Sequence, residues 1–153
     1  MKLEGEHLFK GPIQDVWEMF LDPEVLGSAL PGGEEFKKVD ESHYEAAMNI
    51  RIGPVSGKFA GTLTLEDVVE PESCTLIVEG RGAAGFAKGV GKVKFTDLGD
   101  QTTLLNYSGE VNIGGVLASV GQRMIDSVAK ALLKPAFETL DRALEARLAA
   151  KAG

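Results

Sequence analysis

Residues 117–144 read LASVGQRMIDSVAKALLKPAFETLDRAL, and the spacing of their apolar positions decides how the rest of the chain is understood. Leu117, Val120, Met124, Val128, Leu132, Ala136, Leu140 and Leu144 recur at steps of three and four, which predicts one side of a long amphipathic helix over the last forty residues. Arg123, Asp126, Lys130, Lys134, Glu138 and Asp141 fill much of the remaining surface. Pro135 lies within the run and predicts a bend, because proline removes a backbone donor and crowds the preceding turn. The hundred or so residues before this helix read as short strands punctuated by glycine. A sheet covered by one helix encloses space between the two layers, and the function is expected there.

The 153 residues suit one domain, expected over 1–149 with 150–153 as a tail, large enough to bury a core without disulfides or structural metal. A formal charge of -7 argues against a dedicated nucleic-acid binder and against strong electrostatic docking on an anionic membrane. No stretch reaches the roughly 18 apolar residues of a membrane span, and the start at Met1-Lys2-Leu3-Glu4-Gly5-Glu6 lacks the apolar core of a secretory signal. Cytoplasmic residence is the resulting expectation. Cys74 is the single cysteine, which excludes an internal disulfide and predicts a small buried residue.

Leu3, Gly5, His7 and Phe9 alternate as a first strand. Pro12 then opens a short helix with Ile13, Val16, Trp17 and Phe20 on one side, and a second is expected over Glu24 to Leu30, closed by Pro31-Gly32-Gly33. From Glu35 to Ile113 six strands follow. Tyr44, Ala46, Met48, Ile50 and Ile52 share one face, Gly53-Pro54 turns the chain, and Val55, Gly57, Phe59, Gly61, Leu63 and Leu65 continue that face. Between Phe86 and Phe95 the alternation changes parity near Gly89 and Gly91, which predicts a bulge. The predicted architecture is α+β: a curved seven-stranded antiparallel sheet, two short helices after the first strand, and a long C-terminal helix over the concave face. Inward glycines such as Gly57, Gly61 and Gly109 would let the strands curve while leaving the concavity unfilled. The same glycines would equally suit a close-packed helix and a solid core, and the residue pattern leaves both open.

Gly80, Gly82 and Gly85 spell G-x-G-x-x-G, but a strand pattern follows where a phosphate-binding helix would have to begin, so a nucleotide site is not expected. His7 and His43 have no metal-ligand spacing, and no metal site is expected. His7 shares the parity of Leu3 and Phe9; it is read as a core histidine satisfied by a backbone carbonyl, and His7 with Tyr107 is the one polar pair that could serve catalysis. No catalytic residue is assigned. The residues expected to face the hollow are Met19, Phe20, Leu26, Leu30, Met48, Ile50, Phe59, Leu63, Leu76, Phe86, Tyr107, Val120, Met124 and Val128. Adaptable methionines and flat aromatic walls suit an oily, ring-bearing ligand.

Leu30-Pro31-Gly32, the run Gly53 to Gly61, the glycine-rich Gly80 to Gly91 with Gly85-Phe86 inside it, and Ala118 to Ile125 together resemble the CoxG family, named for the G subunit of carbon monoxide dehydrogenase, within the START-like, or SRPBCC, superfamily. The resemblance spans nearly the whole chain. It implies the helix-grip (START-like) fold and a non-enzymatic accessory protein with no tightly bound cofactor. Menaquinone, or another quinone or lipid, is the implied ligand, a molybdenum-dependent dehydrogenase the implied partner, and transient contact with the inner face of the cytoplasmic membrane the implied setting. The loop Leu30 to Gly33 and the helix start at Gly115 to Gly121 are the expected gate. Two departures stand out: Gly33 occupies a position where members often carry cysteine, and the sequence ends at Gly153 without the membrane-contacting extension of longer members. Direct anchoring is therefore not expected. The superfamily also contains cyclases and dehydratases, which makes an enzyme the alternative, and a protein-docking module for dehydrogenase maturation is a third reading.

Overall fold

The computed structural model describes residues 2–29, 33–52 and 54–152. The chain runs β1 (Lys2–Phe9), α1 (Ile13–Phe20), α2 (Pro23–Ala29), β2 (Gly33–Asp40), β3 (His43–Ile52), β4 (Val55–Val69), β5 (Ser73–Gly82), β6 (Gly85–Gly99), β7 (Thr102–Gly114), a 3-10 turn (Gly115–Val120) and α3 (Gln122–Ala152). The strands form one sheet in the order β1-β7-β6-β5-β4-β3-β2, every neighbour antiparallel. This is the predicted helix-grip arrangement. The G-x-G-x-x-G run falls in the β5–β6 hairpin, with Gly82 opposite Gly85, so no helix N-terminus follows it. Leu30, Pro31 and Gly32 of the expected gate lie outside the described residues, as does Gly53 of the predicted Gly53-Pro54 turn.

Two local expectations change. β6 pairs with both neighbours without a register shift from Gly85 to Asp97, so the bulge predicted near Gly89 and Gly91 is absent. Its inner face carries Ala87, Gly89, Gly91, Val93 and Phe95, because those residues stand opposite the inner positions of β5 and β7. Size alternation predicts the bulky residue of each pair inside; from Phe86 to Gly91 the small ones, Ala87, Gly89 and Gly91, hold that face instead, and Val93 and Phe95 follow in the same register.

The terminal helix also differs. A 3-10 turn comes first, ending at Gly121 with φ of +94°, a conformation that glycine adopts without strain, and α3 begins at Gln122 and continues to Ala152, so residues 150–152 are helix and not tail. Stepping by fours along a helix overshoots each turn by about 40°, and the predicted stripe therefore drifts off the buried side. Ile125, Leu140 and Leu144 are buried, whereas Met124 and Leu132 are 40% and 42% exposed.

Apolar packing gathers at two places. Near one end of the sheet, Phe9, Val16, Trp17, Met19, Phe20, Val93, Phe95 and Leu105 pack with Leu140 and Leu144, and Trp17 and Phe20 meet the Phe95 ring edge-on at 5.9 and 5.3 Å. Tyr44 donates from its hydroxyl to the Leu21 carbonyl at 2.9 Å, fixing the α1–α2 junction to β3. At the other end Phe59 and Leu117 form a smaller cluster with Met48, Ile50, Ile113, Val120 and Val128. The Leu117 amide donates to the Ala84 carbonyl at 2.7 Å, which pins the 3-10 turn to the β5–β6 turn.

Charge ties α3 to α1. Asp15 accepts from Lys151 at 2.5 Å and from Arg147 at 3.3 Å, while Arg147 also reaches Glu18 at 2.6 Å. The Lys151 hydrogen bond, opposed by burial and reinforced by Arg147, holds the Asp15 carboxyl below its ordinary value of 3.8. A depressed folded pKa stabilises the fold above the unfolded value, and that stabilisation is lost as pH falls through the folded one. Asp15→Asn is thus expected to cost about 1 kcal/mol at neutral pH, with wild type and variant converging in urea titrations as the pH drops below 3.8.

Candidate functional site

Between the two apolar clusters the inner face of β6 is nearly bare. One cross-strand row runs Leu3, Gly109, Gly91, Leu76, and the next runs Val111, Gly89, Val78, Leu63. Three successive inner positions of β6, Ala87, Gly89 and Gly91, thus carry nothing larger than a methyl group. Above them passes the middle of α3, presenting Leu133. The space left is a cleft of about 310 Å3. Its floor is Ala87, Gly89, Gly91 and Gly109, and its walls are Leu3, Leu76, Val78, Val93, Tyr107, Val111 and Leu133. Val78 faces the cleft and is 48% exposed, so the space opens to solvent. Hollows of about 420 and 730 Å3 on the opposite face are larger, but charged side chains such as Glu45, Arg81, Glu4 and Lys94 rim them, and they are shallow wet surface between strand residues.

The glycines are not equivalent. A Cβ on Gly61 would sit 2.7 Å from the Glu79 carbonyl oxygen, and one on Gly109 3.1 Å from that of Val90, so these two let neighbouring backbones approach. A Cβ on Gly91 would meet only the Ser108 oxygen at 3.7 Å, ordinary contact. Gly91 is therefore bare where a side chain would fit, and what it preserves is the cleft.

Of the residues expected to face the hollow, Leu76 and Tyr107 line the cleft. Met19 and Phe20 are sealed in the larger cluster, and Met48, Ile50, Phe59, Val120 and Val128 belong to the smaller one. Leu63 is half-buried on the inner face beside Val78, and Leu26 is half-buried on α2. Leu30 lies outside the described residues. Two placements are corrected. Phe86 stands on the opposite face, 47% exposed, its ring lying over Gly114, because the unbroken register of β6 gives the inner face to Ala87. Met124 is 40% exposed, carried off the buried side by the helical drift. Leu133 lies outside the predicted stripe, although stepping back from Leu140 by the true helical period reaches it. Leu3, Val78 and Val111 are further cleft walls that the sequence pattern does not single out, yet each stands beside a bare β6 or β7 position.

The polar groups nearby hold α3 in place. His7 meets Asp141 through Nε2 at 2.9 Å, not a backbone carbonyl as expected, and its ring stacks on Phe137 at 4.4 Å. Phe137 also packs against Tyr107 at 5.5 Å. With one aromatic ring against both, His7 and Tyr107 share no hydrogen bond among the described residues. The Tyr107 ring lies over Gly5, where a Cβ would be 2.5 Å from its hydroxyl. Burial pushes the Cys74 thiol up to about 11, which keeps it protonated at neutral pH. Among the described residues no group of three or more His, Cys, Asp or Glu side chains is placed to hold a metal ion, and no helix is long and apolar enough to cross a membrane.

The family described as CoxG, the G subunit of carbon monoxide dehydrogenase, matches residues 5–145. No curated protein matches the chain. Among solved structures, a conserved protein from Geobacillus kaustophilus is 30% identical with a TM-score of 0.88, covering 95% of each chain. A START superfamily protein from Mycobacterium smegmatis is 13% identical at a TM-score of 0.70, covering 94% of this chain and 97% of that one. An aromatase/cyclase from a Streptomyces species is 12% identical at 0.70, covering 97% and 95%. The last two speak for the START-like fold alone.

Gly91→Leu is expected to fill the cleft and leave the melting temperature unchanged or raised, since it replaces a strand-interior glycine that costs about 0.5–1 kcal/mol. Gly61→Ala, by contrast, should destabilise by about 1–3 kcal/mol through its backbone clash. Calorimetry on the two variants separates a glycine kept for space from one kept for close approach. Cys74 should resist a thiol reagent at neutral pH until denaturant unfolds the chain, and rapid labelling of native protein would contradict its burial.

Proposed function

The chain belongs to the CoxG family, and from that membership and the apolar cleft we propose that it is a non-enzymatic carrier. Its guest would be a quinone or comparable lipid-like molecule, held between β6 and α3 and passed to or from a dehydrogenase of the carbon monoxide dehydrogenase type. The observation that carries this reading is the bare floor of the cleft: Gly91 has room for a side chain and has none. An apolar guest there is driven by desolvation at about 25 cal/mol per Å2 of apolar surface removed from water. Rings suit the site because Tyr107 offers a flat face and the glycine floor a flat backbone. Menaquinone fits this description by chemistry.

The cleft's inner-facing side chains are apolar apart from Tyr107, a lining that suits a carried guest better than acid–base chemistry. Tyr107 is the one inner-facing wall side chain that bears a polar group, and His7, on the other side of Phe137, is committed to Asp141, while Lys92, Ser108 and Glu110 border the cleft from outer-face positions. A cyclase would need a donor and an acceptor converging on the guest. Residence on the cytoplasmic side of a membrane fits the same reading, since a quinone carrier works between a membrane pool and a water-facing partner.

Native mass spectrometry of the purified protein, followed by titration with soluble menaquinone analogues, tests the proposal. A co-purifying hydrophobic molecule, or saturable analogue binding that Gly91→Leu and Leu133→Trp abolish, is the expected result. Empty protein that binds no analogue, or binding that survives both cleft-filling variants, would overturn it.

A further inference from the structure

We infer that the hollow between the edge strand β1 and the first turns of α3 is a second subsite, which takes the oxygen-bearing end of an amphiphilic guest whose apolar body lies in the cleft. The inference rests on the carrier reading and adds to it a polarity and a direction. The cleft alone is ill suited to a guest that carries oxygens. Its inner-facing walls are apolar apart from Tyr107, and the Tyr107 hydroxyl lies over Gly5 on β1, away from the glycine floor of β6. A carbonyl oxygen enclosed above that floor would give up its water and find no donor in exchange.

The adjoining hollow supplies what the cleft lacks. It measures about 440 Å3, shares Leu3 and Glu110 with the cleft, and is completed by Lys2, Gln122, Asp126 and Lys130. The helix explains the change of character. At 3.6 residues per turn Gln122, Asp126, Lys130 and Leu133 fall within an arc of about 80°, and Lys130 precedes Leu133 by about 4.5 Å along the axis. The side of α3 that holds Leu133 over the cleft thus turns polar within one turn toward its N-terminus. Asp126 is already engaged, accepting from the Gln122 amide at 2.8 Å. Among the described residues Lys2 and Lys130 have neither an ion-pair nor a hydrogen-bond partner, so they are the free donors of the hollow. Lys2 belongs to the edge strand opposite Glu110, where a flexible four-carbon stem lets its ammonium swing round the edge.

The charges of the hollow select the kind of oxygen. Lys2 and Lys130 stand against Glu110 and Asp126, which leaves no formal net charge. A carbonyl gains a charge-assisted hydrogen bond from either lysine. A carboxylate would meet two acids as well, so the hollow favours a neutral head with acceptor oxygens. A direction follows from the same layout: the body lies over the glycine floor, and the head sits at the exposed edge beside β1. The end of the guest that carries its reactive oxygens is then the end that a partner can reach without the body leaving the cleft.

Calorimetric titration of the full chain with methylnaphthoquinone, methylnaphthalene and naphthoate tests the subsite, because the three share a ring body and differ in their oxygens. Wild type is expected to bind the quinone more tightly than the hydrocarbon. The ratio of those two affinities is expected to fall at least about tenfold in the double variant Lys2→Met, Lys130→Met, the size of effect that losing one charge-assisted hydrogen bond produces. Both lysines are exposed and without partners, so the variant is expected to keep the wild-type melting temperature. A wild type that prefers the hydrocarbon, a double variant that keeps the quinone preference, or naphthoate bound as tightly as the quinone would overturn the neutral head subsite. Gly91→Leu separates this outcome from failure of the carrier reading. Loss of both quinone and hydrocarbon binding in Gly91→Leu, with an unchanged ratio in the lysine variant, leaves the carrier standing while the subsite falls. Wild type that binds none of the three overturns both.

Discussion

A helix can settle onto a sheet only as far as side chains allow, and α3 is propped at two places with nothing between them. Phe9, Phe95 and Leu105 meet Leu140 and Leu144 under one half of it; Phe59 and Leu117 with Val128 hold the other. Because both supports are bulky, the glycine floor between them cannot be closed by lowering the helix without crushing aromatic rings. A sealed void of about 310 Å3 would cost about 7 kcal/mol at roughly 24 cal/mol per Å3. The exposure of Val78 shows how the chain avoids that cost, by leaving the cleft open to water. Water against such walls finds few hydrogen-bond partners, which is the condition under which an apolar guest displaces it.

The two supports are unequal. The C-terminal half of α3 has the larger aromatic cluster, the His7–Asp141 contact and the Asp15–Arg147–Lys151 clasp. The N-terminal half has Ile125 buried and Met124 and Leu132 substantially exposed, and it follows a turn whose last residue, Gly121, has nothing within 4 Å of where a Cβ would be. Pro135 lies between the halves and cannot donate to the Ala131 carbonyl. Cooperative packing is thus concentrated where the first strand, α1 and the end of α3 meet, and the part of α3 over the cleft is the part with fewest obligations.

The architecture is legible in the sequence because it rests on periodicities that survive small errors: alternation in the strands, threes and fours in the helix. The cleft is harder to read because its signal is an absence. Sequence logic assigns the inner face to the bulkier residue of each alternating pair, which places Phe86 inside and turns Gly89 and Gly91 into a bulge. The register shows the reverse, and only the partners of β6 on both sides reveal it. Met124 and Leu133 change places for a simpler reason, the accumulation of about 40° with each four-residue step. The partner of His7 has no sequence signal at all, since Asp141 lies 134 residues away and looks, on its own helix, like solvent-facing charge.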